Sequence, residues 1–247
     1  MSKIVVTTFG SLGDLHPQMA IENPLMEDNN SPYLVLAMFS SVLAKPQLDW
    51  PKNTVMTGFT FYDDSQARAA LSQELEQFLR KGEAPIVFTL GSAAVLTPGT
   101  FFAESIQAAK LLNRRAVLLI GNNPLPEGLT DEIIAVDYVP YSQIFPRAAA
   151  IVHQGGIGTT AQALRSGCPT LIMPYSHDQP DNAARVERLG TSRTISRKQY
   201  SAVPVAKKLD QLLDNPSYSL KAAEIGAILA VENGVGAACD AIEQQLR

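Results

Sequence analysis

From about residue 85 onward the apolar residues gather into short unbroken runs, separated by stretches in which apolar positions recur every three to four residues. The runs Ile86–Leu90, Ala116–Ile120, Ile133–Val136, Ala149–Val152 and Thr170–Met173 predict buried strands. Thr100–Leu112, Thr159–Ser166 and Asp181–Leu189 predict amphipathic helices between them, the first with Pro98 near its start. Apolar strands alternating with helices predict a parallel sheet covered on both faces. The last third predicts three helices, over 203–213, 217–231 and 236–246, packed as a cap on the sheet. Such sheets bind ligands beyond the carboxyl ends of their strands. Gly91-Ser92, Tyr138-Val139, the stretch His153 to Gly158 and the stretch Ser176 to Asp178 all fall at that edge.

The first sixty residues break the pattern. Lys3–Thr8 reads as a strand followed by the loop Gly10-Ser11-Leu12-Gly13-Asp14-Leu15-His16-Pro17. The helix that should follow, Gln18–Met26, is short and interrupted by Pro24, and 27–32 is turn material. Tyr33–Met38 predicts one strand and Val55–Phe59 a short extended segment. A Rossmann-like domain needs roughly 150 residues, so this region is too small to be one.

Composition narrows the class. With 247 residues, 46% of them apolar and 18% charged, the chain is expected to fold as a soluble globule. A formal net charge of −4 argues against nucleic acid as a partner, which requires a basic face. Cys168 and Cys239 make no disulfide framework, and no His or Cys spacing suggests a metal site. No apolar run is expected to reach the ~18 residues of a membrane span. The start, Met1 to Val6, is too short for a signal-peptide core, so a cytoplasmic location is expected.

The candidate chemistry is concentrated in His153-Gln154-Gly155-Gly156-Ile157-Gly158-Thr159-Thr160. A strand that feeds a glycine-rich turn and then a helix start suits a diphosphate. The glycines admit close approach, and the first helical N–H groups point outward at the positive end of the helix dipole. His153 can donate one more hydrogen bond to a phosphate oxygen. About twenty residues on, His177-Asp178-Gln179-Pro180-Asp181-Asn182 offers carboxylates and amides suited to sugar hydroxyls. Together they suggest a nucleotide sugar. Blander readings stand beside these. Residues 156–161 also fit a dinucleotide fingerprint with Asp178 as its distant acid. His153 could be structural, Asp178 a helix cap, Tyr138 a core aromatic and Asp14 a turn former.

Several segments resemble GT-B-fold, nucleotide-sugar-dependent glycosyltransferases of family 1 type, the class that includes bacterial macrolide, sterol and flavonoid enzymes. They are Gly10 to Pro17, Phe88-Thr89-Leu90-Gly91-Ser92, Tyr138-Val139-Pro140-Tyr141, His153 to Thr160, and Pro174 to Val186. The resemblance implies an α/β fold in which a Rossmann-like parallel sheet forms the donor domain. Residues 51–247 would be that donor domain and 1–50 a remnant of a truncated N-terminal acceptor lobe. It implies a UDP- or dTDP-sugar as co-substrate, with no cofactor and no metal. Ser92, His153, Gly155, Gly156, Gly158 and Thr159 would hold the diphosphate. Asp178 and Gln179 would hold the sugar, with Asn182 one helical turn away. Tyr138 would stack on the base, with Val139 offering backbone groups. Asp14 matches the loop position of the general base. Ala161 departs from the branches that carry a glutamate there to grip the ribose hydroxyls, as other bacterial and sterol-directed branches do.

The implied reaction is inverting transfer of a sugar to a small hydroxylated acceptor, impaired by the shortened lobe. A donor-binding module that needs a partner acceptor chain is the alternative from another class, and a sugar-nucleotide epimerase is a third. Uncovered strands in the N-terminal region also predict self-association through it.

Overall fold

The computed structural model describes residues 31–61 and 71–247. Asp14, His16 and the expected strand Lys3–Thr8 lie outside the described residues. The chain forms two compact units, Met1–Tyr62 with Val231–Arg247, and Asp63–Ala230.

The larger unit carries six parallel strands: β3 (Ile86–Thr89), β4 (Ala116–Leu119), β5 (Ile133–Val136), β6 (Ala150–His153), β7 (Thr170–Ile172) and β8 (Ser192–Thr194). Their spatial order is β5-β4-β3-β6-β7-β8. Counted within the unit this is 3-2-1-4-5-6, the doubly wound order. β3, β4, β6 and β7 are buried at every position because helices cover both faces. One face packs Ile86, Phe88, Leu118 and Val152 against α2 (Phe101–Leu111) and α6 (Ala202–Asp214). The other packs Val87, Val117 and Ile151 against α1 (Gln73–Arg80) and α3 (Tyr141–Ile144). Alternate residues of one strand thus serve opposite cores.

α1 was not evident in the hydrophobic pattern, yet its origin is local. Ser72 caps it by accepting from Leu75 N at 3.2 Å, and Leu75 and Phe78 form the buried stripe. Arg115 secures its end, donating to the Phe78 and Glu83 carbonyls and pairing with Glu132 at 2.8 Å while lying over the Phe78 ring. α4 (Ile157–Arg165) and α5 (Gln179–Arg188) follow β6 and β7, and α7 (Pro216–Ala230) packs on α4.

In the smaller unit β1 (Val35–Ala37) pairs in parallel with β2 (Thr54–Met56). Ser40 Oγ donates to Glu232 at 2.5 Å, and Phe59 N donates to the same carboxylate at 3.4 Å. α8 (Gly234–Leu246) begins there, with Asn233 capping it through Gly236 N.

One helical stretch among the described residues, Pro216–Leu246, is long and apolar enough by composition to pass as a membrane span, where the sequence had led us to expect none. It is interrupted after Ala230, giving helices of 15 and 13 residues. Each is shorter than the ~20 residues that cross a bilayer.

Candidate functional site

The strand order reverses between β3 and β6, which lie side by side although far apart in sequence. Two loops leave the carboxyl ends of these strands together, Gly91-Ser92 from β3 and Gln154-Gly155-Gly156 from β6. A crevice at a topological switch point is where doubly wound sheets bind ligands.

Gly155 shows why the second loop must be glycine. Its φ is +87°, and a β-carbon there would stand 3.0 Å from Ile172 Cγ2 and 3.2 Å from the Gln179 carbonyl. Gly158, by contrast, is exposed, and a β-carbon there would meet nothing within 4 Å. The structure does not require glycine at 158. The space above it is open.

α4 starts immediately after this turn. Its cap residue is Gly156, which has no side chain to accept from the first-turn N–H groups. Those N–H groups therefore face outward without an intrahelical acceptor. The Thr159 hydroxyl is engaged by the Tyr141 hydroxyl, which also lies 3.0 Å from Thr89 Oγ1. Tyr141 in turn stacks on Phe145 at 4.3 Å. Burial raises the Tyr141 pKa, so this hydroxyl stays protonated and clamps the first turn of α4 to β3.

His153 ends β6 and is fully buried. Its Nδ1 accepts from Gly155 N at 3.0 Å, which places the ring proton on Nε2. Nε2 has no partner. Burial lowers the ring's pKa to about 3, so His153 is neutral near pH 7. It is a fixed neutral donor at the floor of the turn.

The second polar cluster is anchored to the same turn. Asn182 Nδ2 donates to the Gly155 carbonyl at 3.0 Å and to Asp178 Oδ2 at 2.8 Å. Both amide hydrogens of this buried side chain are thus used within the protein, which ties α5 to the glycine loop. Asp178 sits at the cap position of α5, but its carboxylate caps no N–H, and Oδ1 is left without a partner. Gln179 Oε1 accepts from Tyr175 N at 2.8 Å and Ser176 N at 3.2 Å, so its Nε2 remains to donate. His177 precedes them, exposed at φ +58° in the left-handed region, a strain of the kind that gathers at ligand loops.

Tyr138 leaves the end of β5 and is 75% exposed, which removes the core-aromatic reading. Its neighbour Val139 is buried in the face that holds Ile144 and Phe145. Ser92 is exposed beside Gly91. Ser92, Tyr138, Val139, His153, Gly155, Gly156, Gly158, Thr159, Asp178, Gln179 and Asn182 thus all lie at or just past strand carboxyl ends or in the first turns of α4 and α5. Asp14 is outside the described residues. Sequence reasoning passed over Gln154 and Tyr141. Tyr141 carried a signal, since it closes the Tyr138-Val139-Pro140-Tyr141 motif.

The dinucleotide reading fails on position. That fingerprint occupies the turn after the first strand of the unit. Here the glycine-rich turn follows β6, the fourth.

Residues 107–233 match the family model described as erythromycin biosynthesis protein CIII-like, C-terminal domain. Among curated proteins the chain is similar to the O-mycaminosyltylonolide 6-deoxyallosyltransferase of Streptomyces fradiae. The two are 38% identical over 206 residues, covering 83% of this chain and 47% of the relative. Among solved structures it is similar to the glycosyltransferase of kitacinnamycin, with a TM-score of 0.70, 22% identity, and coverage of 87% of this chain and 55% of that one. Another neighbour is the glycosyltransferase VinC in complex with dTDP, with a TM-score of 0.58, 22% identity, and coverage of 84% and 51%. The chain spans about half the length of each of these three relatives.

Proposed function

The chain belongs to the erythromycin biosynthesis protein CIII-like C-terminal domain family, whose relatives are glycosyltransferases, and from that membership we propose that it binds the diphosphate of a UDP- or dTDP-sugar at the β3–β6 switch point and takes part in inverting, metal-independent sugar transfer. One observation carries this reading. The glycine turn, the uncapped start of α4 and His153, whose buried Nε2 has no partner among the described residues, follow one another at the carboxyl end of β6. Backbone N–H groups and a neutral imidazole N–H would receive the negative charge that grows on the diphosphate as the sugar–phosphate bond breaks.

In the proposed step, the acceptor hydroxyl oxygen attacks the anomeric carbon from the side opposite the diphosphate. The carbon–oxygen bond to phosphate breaks, and the hydroxyl proton passes to Asp14 as general base. Asp178 and Gln179 would orient the sugar through a carboxylate oxygen and an amide N–H that the protein leaves open. Tyr138, standing exposed, would stack on the base. The dTDP-bound neighbour supports a pyrimidine diphosphate as the shared ligand.

A second reading stops at donor binding. On that reading it is a donor-binding module that works with acceptor-binding surface from another chain. Calorimetric titration with a panel of nucleotide sugars, repeated on His153→Ala, tests donor binding. The proposal expects one pyrimidine donor to bind and the variant to lose it. No binding by any donor would end it. Incubating the bound donor with a small phenol then separates the two readings, since glycoside product means transfer and free sugar or unchanged donor means a binding module.

A further inference from the structure

The buried Gln154 side chain makes no hydrogen bond among the described residues. It is 5% exposed, and its Oε1 is buried without a partner. Its Nε2 lies between the two loops that meet at the switch point. A β-carbon on Gly91 would collide with this nitrogen, and one on Gly156 would stand 2.8 Å from it. Gly91 holds φ at +66° in the same turn. Both positions therefore leave space for the Gln154 amide. The two hydrogens on Nε2 meet no acceptor among the described residues, and a phosphate oxygen arriving from outside is an acceptor that would supply one.

Taking the donor reading above as its basis, we propose that Gln154 is a further diphosphate-binding residue, presenting its amide N–H2 between Gly91 and Gly156 to a phosphate oxygen. With it, the donors that the described residues offer the anion are neutral: backbone N–H groups of α4, the His153 Nε2–H and the Gln154 Nε2–H2. Such a site recognises the phosphoryl oxygens by geometry, and it lets the nucleoside diphosphate leave after transfer because none of these donors is a fixed counter-charge. The residue thereby discriminates a nucleoside diphosphate from the bare nucleoside.

The test uses the whole chain and two probes, UDP and uridine (or dTDP and thymidine, whichever the wild type binds). Gln154→Met keeps the length and shape of the side chain but removes both donors, and it also removes the unpaired buried carbonyl. The proposal expects an unchanged or higher melting temperature, a fall of roughly 10- to 100-fold in diphosphate affinity as a hydrogen bond to a charged group is lost, and an unchanged nucleoside affinity. Gln154→Glu, nearly the same shape with a carboxylate facing the anion, is expected to lower diphosphate affinity further still. If Gln154→Met lowers diphosphate and nucleoside affinity by the same factor, or lowers neither, Gln154 is a packing residue and the proposal is overturned. If the wild type binds neither diphosphate, the donor reading itself has failed, which is a distinct result.

Discussion

The neutral state of His153 makes a quantitative prediction about pH. In the unfolded chain the ring has an ordinary pKa near 6.5, whereas burial lowers it to about 3 in the fold. Below pH 6.5 the unfolded state therefore binds a proton that the folded state refuses, and stability falls as pH falls. Above 6.5 the contribution is complete; from there down to about pH 3 it is lost at about 1.4 kcal/mol per unit. Between pH 7 and pH 4.5 the loss comes to about 2.5 kcal/mol, and by pH 3 it reaches ~4 kcal/mol. Protonation would also turn Nδ1 into a donor facing the Gly155 N–H that it accepts from at 3.0 Å. Carboxylates titrate over the same range, so the comparison must be differential. His153→Asn supplies it, because an asparagine oxygen can accept from the N–H two residues on without titrating. Urea unfolding of the ligand-free chain, followed by circular dichroism at pH 7 and pH 4.5, should show the wild type losing about 2.5 kcal/mol more than the variant. Equal losses would mean that His153 is charged or solvated in the fold, and the neutral-donor description of the crevice would be wrong.

Three other outcomes follow from the geometry. Gly155→Ala should destabilise the chain by ~2–4 kcal/mol in denaturant unfolding, since the left-handed φ and the contacts with Ile172 and the Gln179 carbonyl both penalise a β-carbon. Asn182→Ala should cost ~2–4 kcal/mol in the same assay, because it leaves the Gly155 carbonyl and the Asp178 carboxylate without their shared donor. Tyr138→Ala should change stability by less than ~0.5 kcal/mol yet weaken nucleoside binding roughly 5- to 100-fold by calorimetry, as loss of an exposed stacking ring would.

Much of the larger unit was legible in the sequence. β3, β4, β6 and β7 are contiguous apolar runs, and a strand buried on both faces can hardly be written otherwise. β8 escaped because Ser192-Arg193-Thr194 is an edge strand, where polar side chains are tolerated. α1 escaped because its stripe of Leu75 and Phe78 sits among charged residues, although Ser72 marked its start. The candidate site was legible where its residues are neighbours in sequence, as in His153 to Thr159. Gln154 stood inside that same motif but gave no sign of its situation. What distinguishes it is the approach of Gly91 from another strand, which only the fold brings about. Nothing in the sequence reveals that Asn182 donates to the Gly155 carbonyl, a contact that only the packing of α5 on the glycine loop brings about.

The central claim is that a nucleoside diphosphate is held where β6 gives way to α4. A crystal structure of the chain grown with UDP or dTDP tests it most directly. The expected result is a diphosphate within hydrogen-bond distance of the backbone N–H groups of residues 157–159, with His153 Nε2 and Gln154 Nε2 on its oxygens. A diphosphate bound elsewhere on the chain, or a crevice still filled by the Gln154 amide at saturating nucleotide, would contradict it.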